Sequence, residues 1–137
     1  MEYISYMDIE TILKQYRTIA VVGLSPKPHR ASYGVASRLQ SCGYRIVPVR
    51  PGGGEILGEK VYNSLTEIPF PVDIVDVFRQ SEAVGPIADE AIRIGAKVLW
   101  LQEGVTNREA EEKARAEGLI VLSDLCILKE CHRAGVI

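Results

Sequence analysis

Several features that mark whole classes of proteins are scarce in this 137-residue sequence. Cysteine occurs three times, an odd number in a chain long enough to build its own core, which favours free thiols in a reducing compartment over a disulfide framework. No apolar run approaches the ~18 residues of a membrane span, and residues 1–6 have neither a basic start nor an apolar signal core. We therefore expect a cytoplasmic protein that makes no membrane contact.

An excess of charge of one sign is also missing. The 16 basic and 18 acidic side chains leave a net charge of −2, and no block of like charges compensates locally. Non-specific binding to nucleic acid depends on a strong excess of positive charge. Nucleic acid is therefore not expected as a partner.

Groups for metal-dependent or nucleophilic catalysis are few. The chain has two histidines, and the cluster of Cys126, Cys131 and His132 matches no common pattern of metal ligands. Asp73 and Asp76 are three residues apart in an apolar run, so on a strand they face opposite sides and form no acid–base pair. We predict no metal site and no catalytic residues, and we expect Asp76 to accept hydrogen bonds from loop amides.

The sequence does have a regular alternation of short apolar runs with longer stretches of helical period. This alternation is typical of a parallel sheet covered by helices on both faces. The runs rich in Val and Ile predict five strands, at residues 18–23, 44–49, 72–78, 97–101 and 119–122. No repeat, low-complexity segment or linker interrupts the pattern, so we predict one doubly wound α/β domain over residues 1–137.

Helix start and stop signals fall between the predicted strands. A helix is expected at residues 8–16, and a turn or short helix within residues 123–137. The connection at residues 50–61 contains one proline and several glycines and is expected to hold no regular element. Three further helices should begin at hydroxyl caps and end at glycines: Ser32 to Gly43, Ser81 to Gly95, and Thr106 to Gly118 with a capping box to Glu109. The thin, alanine-rich apolar face of the last helix predicts a position at the edge of the sheet.

The loop after the first predicted strand contains many groups that bind anions. In a doubly wound sheet, ligands bind beyond the carboxyl ends of the strands, and this loop is the usual phosphate site. It supplies a tight turn, a hydroxyl, two positive charges and the free amides of a helix start. In chain order these residues are Gly23, Ser25, Lys27, Arg30, Ser32, Tyr33 and Gly34. An ordinary polar loop with a serine cap is the alternative, but the convergence of these groups favours phosphate binding.

The end of the second predicted strand bears on the identity of the cofactor. The fingerprint G-x-G-x-x-G is absent, and Val49-Arg50-Pro51 offers no acid for the hydroxyls of an adenosine ribose, which counts against NAD. An arginine at this position favours a ribose phosphate, as found in NADP and in coenzyme A (CoA). A solvated side chain at a strand end is an equally good interpretation of Arg50.

The ends of the third and fourth predicted strands add further candidates. Phe78, followed by Arg79, could cover an adenine or close the core. Gln102 and the backbone of Gly104 could contact a ligand, while Glu103 could accept hydrogen bonds from amides of the neighbouring loop. All of these positions lie at the edge of the sheet where a ligand is expected.

Several motifs in fixed order resemble a known family. They are Gly23-x-Ser25, Ser32-x-Gly34-Val35, Val49-x-Pro51-Gly52, the run from Asp73 to Arg79, the run from Trp100 to Val105, and Asp124-x-Cys126. This order is similar to that of the small stand-alone CoA-binding proteins, which are themselves similar to the amino-terminal domain of the succinyl-CoA synthetase alpha subunit. The resemblance implies a Rossmann-like domain that binds CoA. It places the cofactor against the loop after the first strand, the turn at Arg50 and Pro51, the region of Phe78 and Arg79, and the loop from Gln102 to Gly104.

The sequence also departs from the synthetase pattern. Gly53 replaces a lysine of the glycine-rich turn, and Arg50 replaces the asparagine that the small proteins often carry. The phosphorylated histidine of the synthetase lies in a following domain, and neither His29 nor His132 matches it. The resemblance therefore implies no ligase activity.

Three functional hypotheses follow from the sequence. The first is a cytoplasmic module that binds CoA or acyl-CoA without catalysis, with the diphosphate on the first loop and the thiol arm directed outward. The second is a small NADP-dependent oxidoreductase, which Arg50 favours. The third is a nucleotide-binding regulatory subunit of a larger enzyme, which would need a protein partner. A homodimer is compatible with the first hypothesis.

Overall fold

The computed structural model describes residues 6–137 and has the predicted α/β architecture. Within this range the strands are β1 (Thr18–Val22), β2 (Arg45–Val49), β3 (Glu55–Ile56), β4 (Glu59–Lys60), β5 (Ile74–Val77), β6 (Val98–Leu101) and β7 (Ile120–Leu122). The helices are α1 (Tyr6–Gln15), α2 (Ala31–Ser41), α3 (Val84–Arg93), α4 (Arg108–Ala116) and α5 (Ile127–Arg133), with short 3-10 turns at Leu65–Glu67 and Ser81–Ala83. No helix in the described range is long and apolar enough to cross a membrane.

Five strands form one parallel sheet in the order β2-β1-β5-β6-β7. Each overlaps one of the five predicted strands, so the prediction of a five-stranded parallel sheet is confirmed. The chain moves from β1 outward to β2 and then returns to β5 on the other side of β1. The strand order therefore reverses between β1 and β5, and such a reversal opens a crevice at the carboxyl ends of these two strands.

The connection after β2 is more regular than the sequence predicted. Strands β3 and β4 form a two-stranded antiparallel hairpin. Its turn contains Leu57 and Gly58, whose φ angles are 56° and 76°. Ile56 is buried in the core, which attaches the hairpin to the domain. The expectation of no regular element was wrong because the glycines allow a tight turn between two short extended segments.

Apolar side chains cover both faces of the sheet. Ala20 and Val75 belong to a core cluster with residues of α3 and α4, whereas Val21 and Ile74 belong to a second cluster with residues of α1, α2 and α5. Because successive side chains of a strand point to opposite faces, this division places α3 and α4 on one face and the other helices on the opposite face. The doubly wound arrangement is confirmed.

The hydroxyl caps predicted for α2 and α3 are wrong. The N-cap of α2 is Arg30, and Ser32 Oγ instead accepts the N–H of Ser25 at 3.0 Å. Ser81 opens a 3-10 turn before α3, and its Oγ accepts the N–H of Thr106 at 3.1 Å. Each hydroxyl bonds a loop amide that the fold brings near it, and the local sequence pattern does not contain this information.

The cap of α4 is shifted by one residue from its predicted position. Asn107, rather than Thr106, accepts the N–H of Ala110 through its Oδ1 at 3.1 Å. The carboxylate of Glu111, rather than that of Glu109, accepts the N–H of Asn107 at 2.8 Å. As predicted, α4 lies at the edge of the sheet, where it contacts α3 and the edge strand β7.

Candidate functional site

Gly23 brings the ends of β1 and β5 close together at the point where the strand order reverses. Its φ angle is 89°, and its N–H donates to the carbonyl of Val49 at 2.9 Å. A Cβ at this position would overlap the carbonyl oxygen of Phe78 and would lie 2.9 Å from Cδ of Arg79. The position therefore requires glycine for both its backbone conformation and its lack of a side chain. The predicted tight turn is confirmed.

A cavity of about 400 Å³, here the first cavity, opens beside this turn. The loop after β1 and the start of α2 line it, together with one residue after β2 and one after β5. Seven of the predicted site residues meet there: Gly23, Ser25, Lys27, Arg30, Ser32, Arg50 and Phe78. The fold therefore brings these seven positions together.

The two serines of the first cavity hold the loop in shape. Ser32 Oγ accepts the N–H of Ser25, and Ser25 Oγ accepts the N–H of Lys27 at 3.1 Å. The N–H of Arg30 donates to the carbonyl of Lys27 at 3.0 Å. A hydroxyl that accepts one hydrogen bond still has its own O–H to donate. Ser25, which is half-buried in the cavity wall, can therefore donate to a bound anion.

The first cavity is positively charged. Lys27, Arg30 and Arg50 line it, and no carboxylate does so among the described residues. Lys27 and Arg30 are exposed, while Arg50 is half-buried with its Nη1 3.5 Å from the carbonyl oxygen of Leu24. The amino terminus of α2 is at the same place, and its first turn contains no acidic residue. The first amides of the helix lack intrahelical partners, because the N–H of Gly34 is the first to bond back, to Arg30. Cations and a helix amino terminus together favour an anion.

A second cavity, of about 720 Å³, lies over the carboxyl ends of β5, β6 and β7. It shares Ala31 and Phe78 with the first cavity. The predicted residues Arg79 and Gln102 line it. Four predicted residues line neither cavity, namely Tyr33, Gly34, Pro51 and Gly104.

The sequence interpretation missed three apolar residues of the second cavity, Val35, Val105 and Cys126. They belong to α2, to the loop after β6 and to the cap of α5, so only the folded chain brings them together. All three stand in motifs that carry the family resemblance, and Val35 comes one helical turn after Ala31, but these signals did not assign them to the site.

The far wall of the second cavity is held by residues 124–127. The N–H of Gly104 donates to Asp124 Oδ1 at 2.7 Å, and Trp100 Nε1 donates to the carbonyl of Leu125 at 2.9 Å. The N–H of Ile127 donates to the side-chain oxygen of Gln102 at 3.0 Å. These bonds join the segment to the end of β6 and hold it in place.

Glu103 does not have its expected role. It forms an ion pair with Lys129 of α5 at 3.0 Å instead of accepting hydrogen bonds from loop amides. The hydrogen bond and the charge of Glu103 raise the pKa of Lys129. A carboxylate that does accept a loop amide here is that of Asp124, which accepts the N–H of Gly104.

Asp76 is a fully buried carboxyl group in β5. It lies in register with Val21 and Trp100, two residues before Phe78, and its side chain has no hydrogen-bond partner among the described residues. The expectation that it binds loop amides was wrong; Asp73 has that role and accepts the backbone N–H groups of residues 17 and 18. Burial raises the pKa of Asp76 well above its ordinary value. The group is therefore stabilised in its neutral form.

The described residues contain no group of three or more His, Cys, Asp or Glu side chains that could hold a metal ion. The three cysteines are free thiols. Cys131 is buried and its Sγ lies 3.9 Å from the hydroxyl of Tyr44. Burial raises the pKa of the Cys131 thiol to about 11, which keeps it protonated at neutral pH.

The family follows from a comparison with known proteins. The family model described as a CoA binding domain matches residues 17–132. The chain belongs to the CoA-binding domain family. It is 44% identical over 127 residues to the uncharacterized protein YneT of Bacillus subtilis. This match covers 93% of this chain and 94% of YneT. A hypothetical protein from Pyrococcus horikoshii has a similar structure, with a TM-score of 0.93, 38% identity and coverage of 98% of this chain and 99% of that one.

The CoA-binding domain also occurs within larger enzymes. The chain is 31% identical over 121 residues to the alpha subunit of the ADP-forming acetate–CoA ligase I of Pyrococcus furiosus. This match covers 84% of the chain but 26% of the ligase subunit. The chain therefore spans about a quarter of the length of this relative. The expected membership of a CoA-binding family is confirmed. The larger enzyme found by this comparison is an acetate–CoA ligase, whereas the sequence analysis named succinyl-CoA synthetase.

Proposed function

We propose that this protein binds CoA or a CoA thioester and that the first cavity holds its phosphate groups. The positive charge of the first cavity carries the proposal, because Lys27, Arg30 and Arg50 converge on the amino terminus of α2 without a neighbouring carboxylate among the described lining residues. Phosphates are bound well by such an arrangement. Membership of the CoA-binding domain family supports CoA as the ligand.

The orientation of the ligand follows from the two cavities. We assign Arg50, at the end of β2, to the ribose phosphate. We assign Ser25 and the first amides of α2 to the diphosphate. The uncharged arm then extends past Phe78, which lines both cavities, into the second cavity. We propose this path instead of the outward direction expected from the sequence.

We assign binding without catalysis to the chain. The ligase to which it is related is about four times as long as the matched segment, and its activity is a property of that larger protein. The buried, protonated thiol of Cys131 is poorly suited to nucleophilic chemistry. The free cysteines support a reducing compartment such as the cytoplasm.

The test is a binding series by calorimetry with CoA, dephospho-CoA, NADP and NAD. We expect CoA to bind, dephospho-CoA to bind more weakly, and NADP and NAD to bind poorly. Binding of NADP alone would overturn the proposal and would favour the oxidoreductase hypothesis that Arg50 also supports.

Arg50→Glu examines the assignment of the ribose phosphate in the same assay. The variant should weaken the binding of CoA more than that of dephospho-CoA, since only CoA carries the additional phosphate. Arg38→Glu is the matched control, because Arg38 is exposed on α2 and lines neither cavity. Equal losses for both ligands in Arg50→Glu would contradict the assignment.

A further inference from the structure

The two cavities form one path across the carboxyl ends of the strands. Ala31 and Phe78 line both cavities. Beyond them, the second cavity extends to Val105 after β6 and to Cys126 after β7. The sheet order β1-β5-β6-β7 means that this path leads away from the cations of the first cavity. A ligand whose charged end is in the first cavity therefore directs its uncharged end into the second.

The second cavity has few charged lining residues. Among its described lining residues, only Arg79 and Glu103 are charged, and Glu103 is paired with Lys129 at 3.0 Å. The aliphatic part of Arg79 lies beside Gly23, at the junction with the first cavity. The far end of the second cavity therefore presents no unpaired charge to the terminus of the ligand.

Aliphatic and thiol groups form the far end of the second cavity. Val35 approaches from α2, while Val105 and Cys126 approach from the opposite side. Val105 and Cys126 are each 9% exposed, so they present small apolar surfaces rather than flexible side chains. Removal of apolar ligand atoms from water against such a wall is favourable.

Hydrogen bonds fix the position of one wall of this apolar end. Cys126 belongs to residues 124–127, which three hydrogen bonds of 2.7–3.0 Å attach to the end of β6. Trp100 and Gln102 make two of these bonds and are themselves buried. Displacement of Cys126 would therefore break buried hydrogen bonds, which is costly. Cys126 therefore has a fixed position at the end of the path that starts at Phe78.

We propose that the protein prefers CoA thioesters to free CoA and that Val35, Val105 and Cys126 hold a short, uncharged acyl group. This inference rests on the proposed function, since it requires the nucleotide to occupy the first cavity. The apolar wall favours an acyl chain over a bare thiol, and the fixed residues 124–127 limit the length of that chain.

Calorimetry with CoA and with its acetyl, propionyl, butyryl, octanoyl and succinyl thioesters tests this inference. Affinity should rise from acetyl to butyryl by up to about fourfold for each buried methylene. It should fall again for octanoyl, which is too long, and for succinyl, which carries a charge. Equal affinities for CoA and the three short thioesters would overturn the inference, as would a preference for octanoyl or succinyl. If none of these compounds binds, including CoA, the proposed function itself has failed.

Val35→Phe locates the acyl group. The larger side chain should occupy the apolar end and bring the ratio of butyryl-CoA to acetyl-CoA affinity close to one, whatever its effect on the affinity for CoA. Ile92→Phe is the matched control, because Ile92 is a partly buried residue of α3 on the opposite face of the sheet. This control should keep the wild-type ratio. An unchanged ratio in Val35→Phe would place the acyl group elsewhere and overturn the assignment.

Discussion

Asp76 is a single residue whose ionisation links stability to pH. In an unfolded chain an aspartic acid has a pKa of about 3.9, and burial raises the pKa of Asp76 in the folded protein. Between these two pKa values the folded protein retains a proton that the unfolded chain has released. The free energy of unfolding therefore falls as the pH rises through this interval, and the contribution of the neutral group is lost above the folded pKa.

Asp76→Asn should remove this part of the pH dependence. The amide has nearly the shape of the protonated acid but does not titrate, so the free energy of unfolding of the variant should fall less than that of the wild type from about pH 4 upward. Urea denaturation at several pH values measures this difference. The fluorescence of Trp100, the one tryptophan and the neighbour of Asp76 in β6, provides the signal. Glu109→Gln, at an exposed position of α4, should keep the wild-type slope. A wild-type slope in Asp76→Asn would contradict the assignment.

Gly23 is the residue on which the approach of β1 to β5 depends. Gly23→Ala should lower the free energy of unfolding by about 2–5 kcal/mol, because the positive φ angle and the overlap with the Phe78 carbonyl both add to the cost. Gly95→Ala is the matched control, since Gly95 has a φ angle of 74° but no heavy atom within 4 Å of the added Cβ. Its cost should be about 1–2 kcal/mol. Chemical denaturation compares the two, and equal losses would show that the close approach is unimportant.

The strands and helices were predictable because their signal is local. The five runs rich in Val and Ile match β1, β2, β5, β6 and β7, since residues buried on both faces of a parallel sheet must be continuously apolar. The caps were not predictable, since the hydroxyls of Ser32 and Ser81 bond amides of other segments. Likewise, the sequence identified most of the first cavity, whose lining comes mainly from one continuous segment. It missed Val35, Val105 and Cys126, which come from three separate elements.

The N-cap of α4 contributes to the stability of that helix. Asn107→Ala should lower the free energy of unfolding by about 1 kcal/mol, because it removes the acceptor for the N–H of Ala110. Thr106→Ala, at the exposed neighbouring position that the sequence favoured as cap, should have a much smaller effect. Thermal or urea unfolding of the two variants decides between the positions. A larger loss of unfolding free energy in Thr106→Ala than in Asn107→Ala would show that Thr106 is the cap, as the sequence predicted.

At the scale of the whole molecule, the reversal of strand order brings together the two ends of the site that we propose for the ligand. The loop after β1 and the residues after β5 converge only because these strands are neighbours in the sheet, although the two strands lie far apart in the chain, at Thr18–Val22 and Ile74–Val77. A bound ligand that contacts both should therefore stabilise the entire domain rather than one loop.

Thermal unfolding with CoA measures this global stabilisation. At a hundredfold excess over the Kd, CoA should raise the free energy of unfolding by about 2.7 kcal/mol. Arg30→Glu, which reverses a charge at the amino terminus of α2, should weaken CoA binding and so reduce this gain at the same CoA concentration. Because Arg30 is exposed, the variant without ligand should unfold close to the wild-type temperature. A full wild-type gain in Arg30→Glu would remove this residue from the site.

The distribution of the two cavities along the chain also affects how the site is assembled during synthesis. Every residue that lines the first cavity lies between Gly23 and Phe78, whereas the second cavity is incomplete without Cys126. Translation delivers the amino-terminal residues first, at about 5–20 residues per second. A nascent chain on the ribosome thus contains all the residues that we assign to phosphate binding well before Cys126 is added to the second cavity.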